Sequence, residues 1–379
     1  EAVFNTLIPS IIQCDIDINV GMMLFTDTGG DDNNVDGGYV RAAVRSMAST
    51  NSDGVPHYEL YADMIASYDE DGERIGGFHE RDDRSNSGKA GLAMAEAYHY
   101  FASLAPEAGN NKAKTDYGNA ADGPNTYFNH SNPSRATCCV ESHPVWELPG
   151  NALTSKAGTL YNGPVAPGEC GKNYIIWVSN GAAQDAASDN VRANELLSAQ
   201  GGDTTQISLN PAGSSDVVAD EWARFMRKQS GLEITTFTLD INPVDTGQGP
   251  GWSALLESMA DESDGEYYRI EADDPACNSD TDQCIADQVT EAIASAFSRI
   301  LGVNSVFASV ALPASANTQS TFLNQVFIGL FRPDEDAKPR WFGNLKQYKL
   351  GFDDDNTLRL LDPNDVPVVD PATGFIEEC

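Results

Sequence analysis

Apolar residues at Val3, Phe4, Leu7, Ile8, Ile11 and Ile12 recur every three or four positions, the spacing of one helix face. Pro9 falls inside that pattern, where its missing N–H and its ring predict a kink. Residues 18–26 (INVGMMLFT) are almost continuously apolar and predict a strand buried on both faces. Residues 39–47 (YVRAAVRSM) alternate apolar and polar, which predicts an edge strand. Helical periods follow at 55–68, 92–101, 191–199, 217–229, 252–260 and 284–301, with strand-like runs at 173–178, 232–241 and 266–270. Strands alternating with helices predict an α/β fold, doubly wound around a mostly parallel sheet with both faces covered. Ligands in such folds bind beyond the carboxyl ends of the strands. The loops after Thr26, Val178 and Ile241 are therefore the expected binding edge.

Two stretches break the alternation. Residues 105–169 show little periodicity and much Gly, Pro, Asn and Ser, a long insertion of the kind that carries function or lacks order. From residue 304 the helical period disappears, and 305–313, 322–331 and 341–350 are strand-like runs separated by turns. The boundary is expected near 303, giving domains 1–303 and 304–379, the second β-rich. A length of 379 residues suits two domains. The chain opens inside a helical pattern without an N-cap and stops at Cys379 before an element is finished, so it reads as part of a longer protein.

Charge narrows the partners. Fifty-seven acidic side chains against 23 basic ones give a net charge of −34, which excludes nucleic acid and anionic membrane surfaces as ligands. No apolar run is long enough to span a bilayer. The seven cysteines form no CxxC pair and no Cys/His zinc spacing, and this usage favours an oxidising compartment. Cys277 and Cys284 flank a polar loop and read as a local disulfide, while Cys170 can pair with Cys138 or Cys139.

The residues offer little catalytic chemistry. No GxSxG, HExxH or P-loop occurs, and no two of the five histidines have metal spacing, so the chain is read as a binding protein rather than an enzyme. Asp32, Asn34, Asp36 and Gly37 match positions one, three, five and six of an EF-hand loop, counting from residue 32, which makes Ca²⁺ the expected ion there. Position twelve is Ala43 rather than Glu, so the bidentate carboxylate has to come from elsewhere. Within the insertion, Tyr127, Phe128, Trp146 and Tyr161 are aromatic anchors for a ligand or pins that hold the insertion to the domain.

Residues 170–181 (CGKNYIIWVSNG) resemble the CxKNYxIxxTDG stretch of von Willebrand factor A domains. FIGLF at 327–331, Arg332-Pro333 and RWFGNLK at 340–346 resemble the opening strands of the β-propeller in PilY-type adhesins at the tips of type IV pili. The resemblance implies an extracellular, pilus-tip adhesin that binds a surface or host ligand and interacts with minor pilins. The alternatives are a non-adhesive factor that primes pilus assembly, and a secreted A-domain subunit of an enzyme. The resemblance also implies that the central strand and its DxSxS metal ligands are supplied by upstream residues or by another chain. Ser179-Asn180-Gly181 stands where the family has TDG, and SGKAGL at 87–92 puts Ala90 or a neighbour where the family has its metal-binding Thr, with Ser87 there only if the alignment shifts. Ser179 and Asn180 are thus the ligand-edge residues, in a metal site expected to be degenerate.

Overall fold

The two halves of the α/β region form separate sheets in a computed structural model, which describes residues 3–13, 18–25, 37–66, 77–78, 88–107, 115–116, 143–153, 159–165, 172–244, 248–271, 281–302, 307–309, 325–332, 342–352, 358–361 and 368. The chain divides into two compact units, Glu1–Ile12 with Asp17–Ala296 and Gln13–Ile16 with Phe297–Cys379, so the later division falls inside a helix rather than after it.

The opening helical pattern forms in two pieces, a π-helical turn at Val3–Leu7 and α1 at Ile8–Ile12. The change of winding comes one residue before Pro9. Proline has no N–H to return to the carbonyl four residues back, so the preceding turn widens instead. Phe4, Ile8 and Ile11 form its buried face. Phe4 and Ile8 pack against α2 (His57–Ala66) through Tyr61 and Met64.

β1 (Asn19–Phe25) and β2 (Gly38–Ser46) pair antiparallel as a two-stranded sheet. Their burial reverses the sequence expectation. β1, apolar almost throughout, is only half-buried, whereas β2 is buried at all but two positions. Arg41 and Arg45, the polar positions of the β2 alternation, are 0 % and 5 % exposed. Alternation alone cannot distinguish an arginine in water from one paired inside the fold.

β3 (Tyr174–Ser179), β4 (Thr235–Ile241) and β5 (Tyr267–Ile270) form a parallel sheet in that order. Side chains alternate across it. Ile175, Trp177 and Tyr267 face a layer made of α3 (Ala90–Phe101), α4 (Ala187–Ala199), α5 (Ala219–Lys228) and α6 (Pro250–Glu262). Ile176, Leu239 and Ile270 face α7 (Thr281–Gly302) on the other side. The unit is therefore α/β, with a three-stranded parallel sheet covered on both faces. Helix α3 is almost wholly buried, Glu96 and His99 included, as expected of a helix enclosed on every side. α5 is amphipathic and seats Trp222, Phe225 and Met226 in the core, each contributing about 1.5–3 kcal/mol of burial. Helix α4 begins four residues before its apolar period, because Asp189 reaches back to the Ala186 N–H at 2.7 Å and closes its first turn.

In the second unit β6 (Phe307–Ser309), β7 (Gln325–Arg332), β8 (Phe342–Phe352) and β9 (Leu358–Leu361) form one antiparallel meander, in that order. No helix among the described residues is long and apolar enough to cross a membrane.

Candidate functional site

β3 and β4 run in parallel register to their carboxyl ends, where Ser179 lies beside Asp240. The first turn of α6 closes over both. Trp252 donates its indole N–H to the Ser179 hydroxyl at 3.0 Å, and that hydroxyl donates to the Gly181 carbonyl at 3.0 Å. Asp240 is fully buried and accepts from Gln248 at 2.6 Å, Ser253 at 2.7 Å and Tyr267 at 2.8 Å. Burial first, and the Asp240 carboxylate second, push the Tyr267 phenol up, so it stays a donor across the physiological range.

The loop after β3 joins the start of α3 on the same edge. Gln184 N–H donates to the Gly88 carbonyl at 2.9 Å. The Asp185 carboxylate accepts the Ala90 and Gly91 N–H groups at 2.9 and 3.2 Å, so it caps α3 from a loop distant in sequence. Burial raises its pKa, and the two backbone donors oppose that shift. Lys89 donates to the Gln184 carbonyl and lies 3.2 Å from Asp189. Gly88 has no side chain for a packing reason: a Cβ there would come within 2.5 Å of the Phe25 ring.

These residues do not suit the divalent cation that the resemblance implies. Ser179 is 5 % exposed, and its hydroxyl is engaged as donor and acceptor within the fold. Ala90 offers no side-chain oxygen. The Asp185 oxygens are taken by backbone N–H groups, and the Lys89 ammonium already brings a positive charge to the same loops. Among the described residues no group of three or more His, Cys, Asp or Glu side chains converges as a metal site. Of the two predicted edge residues, Ser179 is a structural tie and Asn180 is the exposed one. Asp32, Asn34 and Asp36 lie outside the described residues.

The insertion returns a second correction. Trp146, expected at a ligand surface, is 1 % exposed in a 3₁₀ turn at Pro144–Glu147. Its indole N–H donates to the Arg41 carbonyl at 2.8 Å, and the Arg41 guanidinium carbon lies 3.6 Å from its ring centroid. A ring stacked under a buried guanidinium has no face left for a ligand. Tyr161 is likewise buried and donates to Glu96 of α3. These two rings pin the insertion, and Tyr127 lies outside the described residues. The pinning continues through Asp116, which is fully buried. It accepts from Arg45 at 2.8 Å, the Ala43 N–H at 2.9 Å and Asn151.

Cys284, in the first turn of α7, is disulfide-bonded. Cys277, Cys139 and Cys170 lie outside the described residues.

Sequence reasoning missed Lys89, Asp185, Asp240 and Trp252. An acid closing an apolar strand, as Asp240 does in TTFTLDI, is a legible signal of a buried hydrogen-bond hub. A tryptophan in a helix's first turn after Gly249-Pro250 is a weaker one. Nothing local marks Asp185, whose partners lie 94 and 95 residues away.

No family model, curated protein or solved structure matches the chain.

Proposed function

We propose that this chain is the ligand-presenting part of a type IV pilus-tip adhesin, a von Willebrand factor A-like unit followed by the first strands of a β-propeller. The observation that carries the reading is the carboxyl edge of β3 and β4, where the loops from β3, α3 and α6 are cross-tied by their own side chains around the exposed Asn180. Such an edge is the binding face of an open parallel sheet. The second unit supports the reading in a coarser way. Four antiparallel strands in meander order have the form of one propeller blade, and the RWFGNLK motif leads into β8. His57, His99 and His143 are buried, and the Nδ1 of each meets a backbone group rather than a nucleophile. Minor pilins and a surface or host ligand are the partners in this reading, and the compartment is extracellular.

Asp116, residues 143–153 and Tyr161 belong to the core, so deleting the whole of 105–169 would test folding rather than binding. Replacing only residues 117–142 by a short Gly/Ser linker in the intact protein is the cleaner experiment. Attachment of piliated cells is expected to fall at least tenfold while pilus number is unchanged. Unchanged attachment would favour the assembly-factor reading, to which the internally tied Ser179 also lends weight.

Calcium enters this proposal through Asp32, Asn34 and Asp36. In calorimetry, an Asp32→Asn, Asp36→Asn variant is expected to lose saturable Ca²⁺ binding that Ser179→Ala keeps. Loss in Ser179→Ala instead would put the cation at the carboxyl edge, against the geometry above.

A further inference from the structure

Asparagine before glycine is the dipeptide whose side-chain amide is most readily lost, because glycine has no Cβ to shield its nitrogen from the neighbouring side-chain carbonyl. The chain has two such pairs, Asn162-Gly163 and Asn180-Gly181. Both asparagines are exposed, so access to water does not separate them. Their hydrogen bonds do. The Asn162 side-chain amide donates to the Asn151 carbonyl at 3.2 Å, and its backbone N–H donates to the Ala152 carbonyl at 2.7 Å. The Gly163 N–H donates to the Ser103 hydroxyl at 3.1 Å, and a Cβ there would come within 2.6 Å of the Tyr100 carbonyl. This pair is held at both of the groups that would have to react.

Asn180 and Gly181 form the bend that leaves β3. Among the described residues neither the Asn180 side chain nor the Gly181 N–H has a hydrogen-bond partner. A Cβ at Gly181 would have nothing within 4 Å, so no neighbour crowds the turn. Gly181 has a φ of 150°, a backbone conformation that residues with a Cβ rarely adopt. Among the described residues the pair is tied only through the Gly181 carbonyl, which accepts from the Ser179 hydroxyl at 3.0 Å and takes no part in amide loss. The same dipeptide therefore stands once locked and once free, and the free copy lies on the candidate edge.

We propose that Asn180 is a self-modification site, at which the folded chain converts its own edge from amide to acid. Hydroxide takes the Gly181 N–H proton, and the nitrogen attacks the Asn180 Cγ. The N–Cγ bond forms, the Cγ–Nδ2 bond breaks, and Nδ2 leaves as ammonia with a proton from water, which returns the hydroxide. Water then opens the cyclic imide at one of its two carbonyls. Opening at Cγ restores the main chain and leaves an aspartate, whereas opening at the Asn180 backbone carbon leaves an isoaspartate. One water is consumed and one ammonia released, with no oxidant or reductant. Either product puts a carboxylate next to Ser179. The isoaspartate also lengthens the main chain by one atom, which moves the Gly181 carbonyl off the Ser179 hydroxyl and loosens the Ser179–Trp252 tie to α6. The site is built from the turn alone and does not depend on the adhesin reading.

Ageing the 379-residue chain at mildly alkaline pH tests it, with peptide mass mapping and enzymatic methylation of isoaspartate to locate and count the products. In the folded chain Asn180 is expected to convert at least tenfold faster than Asn162. In urea, where the ties of Asn162 are gone, that difference is expected to vanish. Asn180→Gln, whose longer side chain closes the ring far more slowly, is expected to fold as the parent does and to lack the product at residue 180. Hydrogen–deuterium exchange at residues 181–184 is expected to quicken in the isoaspartate fraction relative to fresh chain. Equal rates at the two asparagines in the folded chain would overturn the proposal, because the free turn would then confer nothing. An Asn180 that converts only in urea would also overturn it, by showing that the fold holds the Gly181 nitrogen away from Cγ. A tenfold difference that persists in urea would assign the preference to neighbouring sequence rather than to the turn. Unchanged exchange at 181–184 would overturn the loosening of the edge.

Discussion

Asp116→Ala is expected to destabilise the first unit by about 3–5 kcal/mol, the cost of leaving one member of a buried ion pair without its partner. The Arg45 side chain is 3 % exposed and that of Asp116 0 %, so water cannot replace the lost carboxylate. The remaining partners of Arg45, the Tyr61 hydroxyl at 2.9 Å, the Pro149 carbonyl at 3.0 Å and the Ala43 carbonyl at 3.5 Å, are neutral. The same substitution strips acceptors from the Ala43 N–H and from Asn151. Urea denaturation would show a lower midpoint with little change in slope. The double variant Arg45→Met, Asp116→Ala is expected to recover at least half of the loss, because it removes the buried charge and not only its partner. A single variant within about 1 kcal/mol of the parent would show that Arg45 finds other compensation. The consequence reaches function, since Asp116 ties the insertion to β2. Limited proteolysis within 117–142 is expected to quicken in the same variant.

The elements of the first unit were legible where an apolar period ran without interruption. Helices α3, α5, α6 and α7 and strands β3, β4 and β5 fall within a few residues of their predicted bounds. The reason is physical: each needs one or two apolar faces, and the period records those faces directly. What the period does not record is which strand lies beside which. Residues 18–26 look like the centre of a sheet, yet β1 is half-buried because only one of its edges has a neighbour among the described residues. The burial of Arg41, Arg45 and Trp146 escapes the local pattern for a related reason. Each is buried by a partner more than 60 residues away, and no local spacing encodes such a meeting. The candidate edge was half legible. Position after a parallel strand marked the loop after Val178, and the resemblance to TDG singled out Ser179 and Asn180 within it, but the closing of Ser179 by Trp252 depends on how α6 lands on the sheet.

Stability of the chain is expected to fall by about 1.4 kcal/mol per pH unit between about pH 6.5 and pH 8, and Glu221→Gln is expected to flatten that limb. Glu221 and Asp220 are adjacent acids at the start of α5, 3 % and 2 % exposed. Glu221 accepts from the Ile207 N–H at 2.8 Å, and Asp220 accepts from the Ser258 hydroxyl of α6 at 2.7 Å. Burial first, and the neighbouring Asp220 carboxyl second, push Glu221 up to about 8, and burial raises Asp220 as well. The sign follows from proton counting. Above its ordinary value of 4.5 an unfolded Glu221 has lost its proton, while the folded one holds it until about pH 8. Each step upward in pH across that window therefore favours the unfolded chain. The buried histidines work the other way. Burial first, then the Arg41 charge, hold His143 down to about 4, so below its ordinary value of 6.5 the unfolded chain takes up a proton that the folded one refuses. The two effects oppose each other on the acid side, and the alkaline limb is left to Glu221. Thermal melts of parent and variant from pH 6 to pH 9 separate the contributions. A flat variant beside a declining parent assigns the limb to the carboxyl pair. Parallel decline would mean that the pair ionises without penalty and that α5 is held by its apolar face alone.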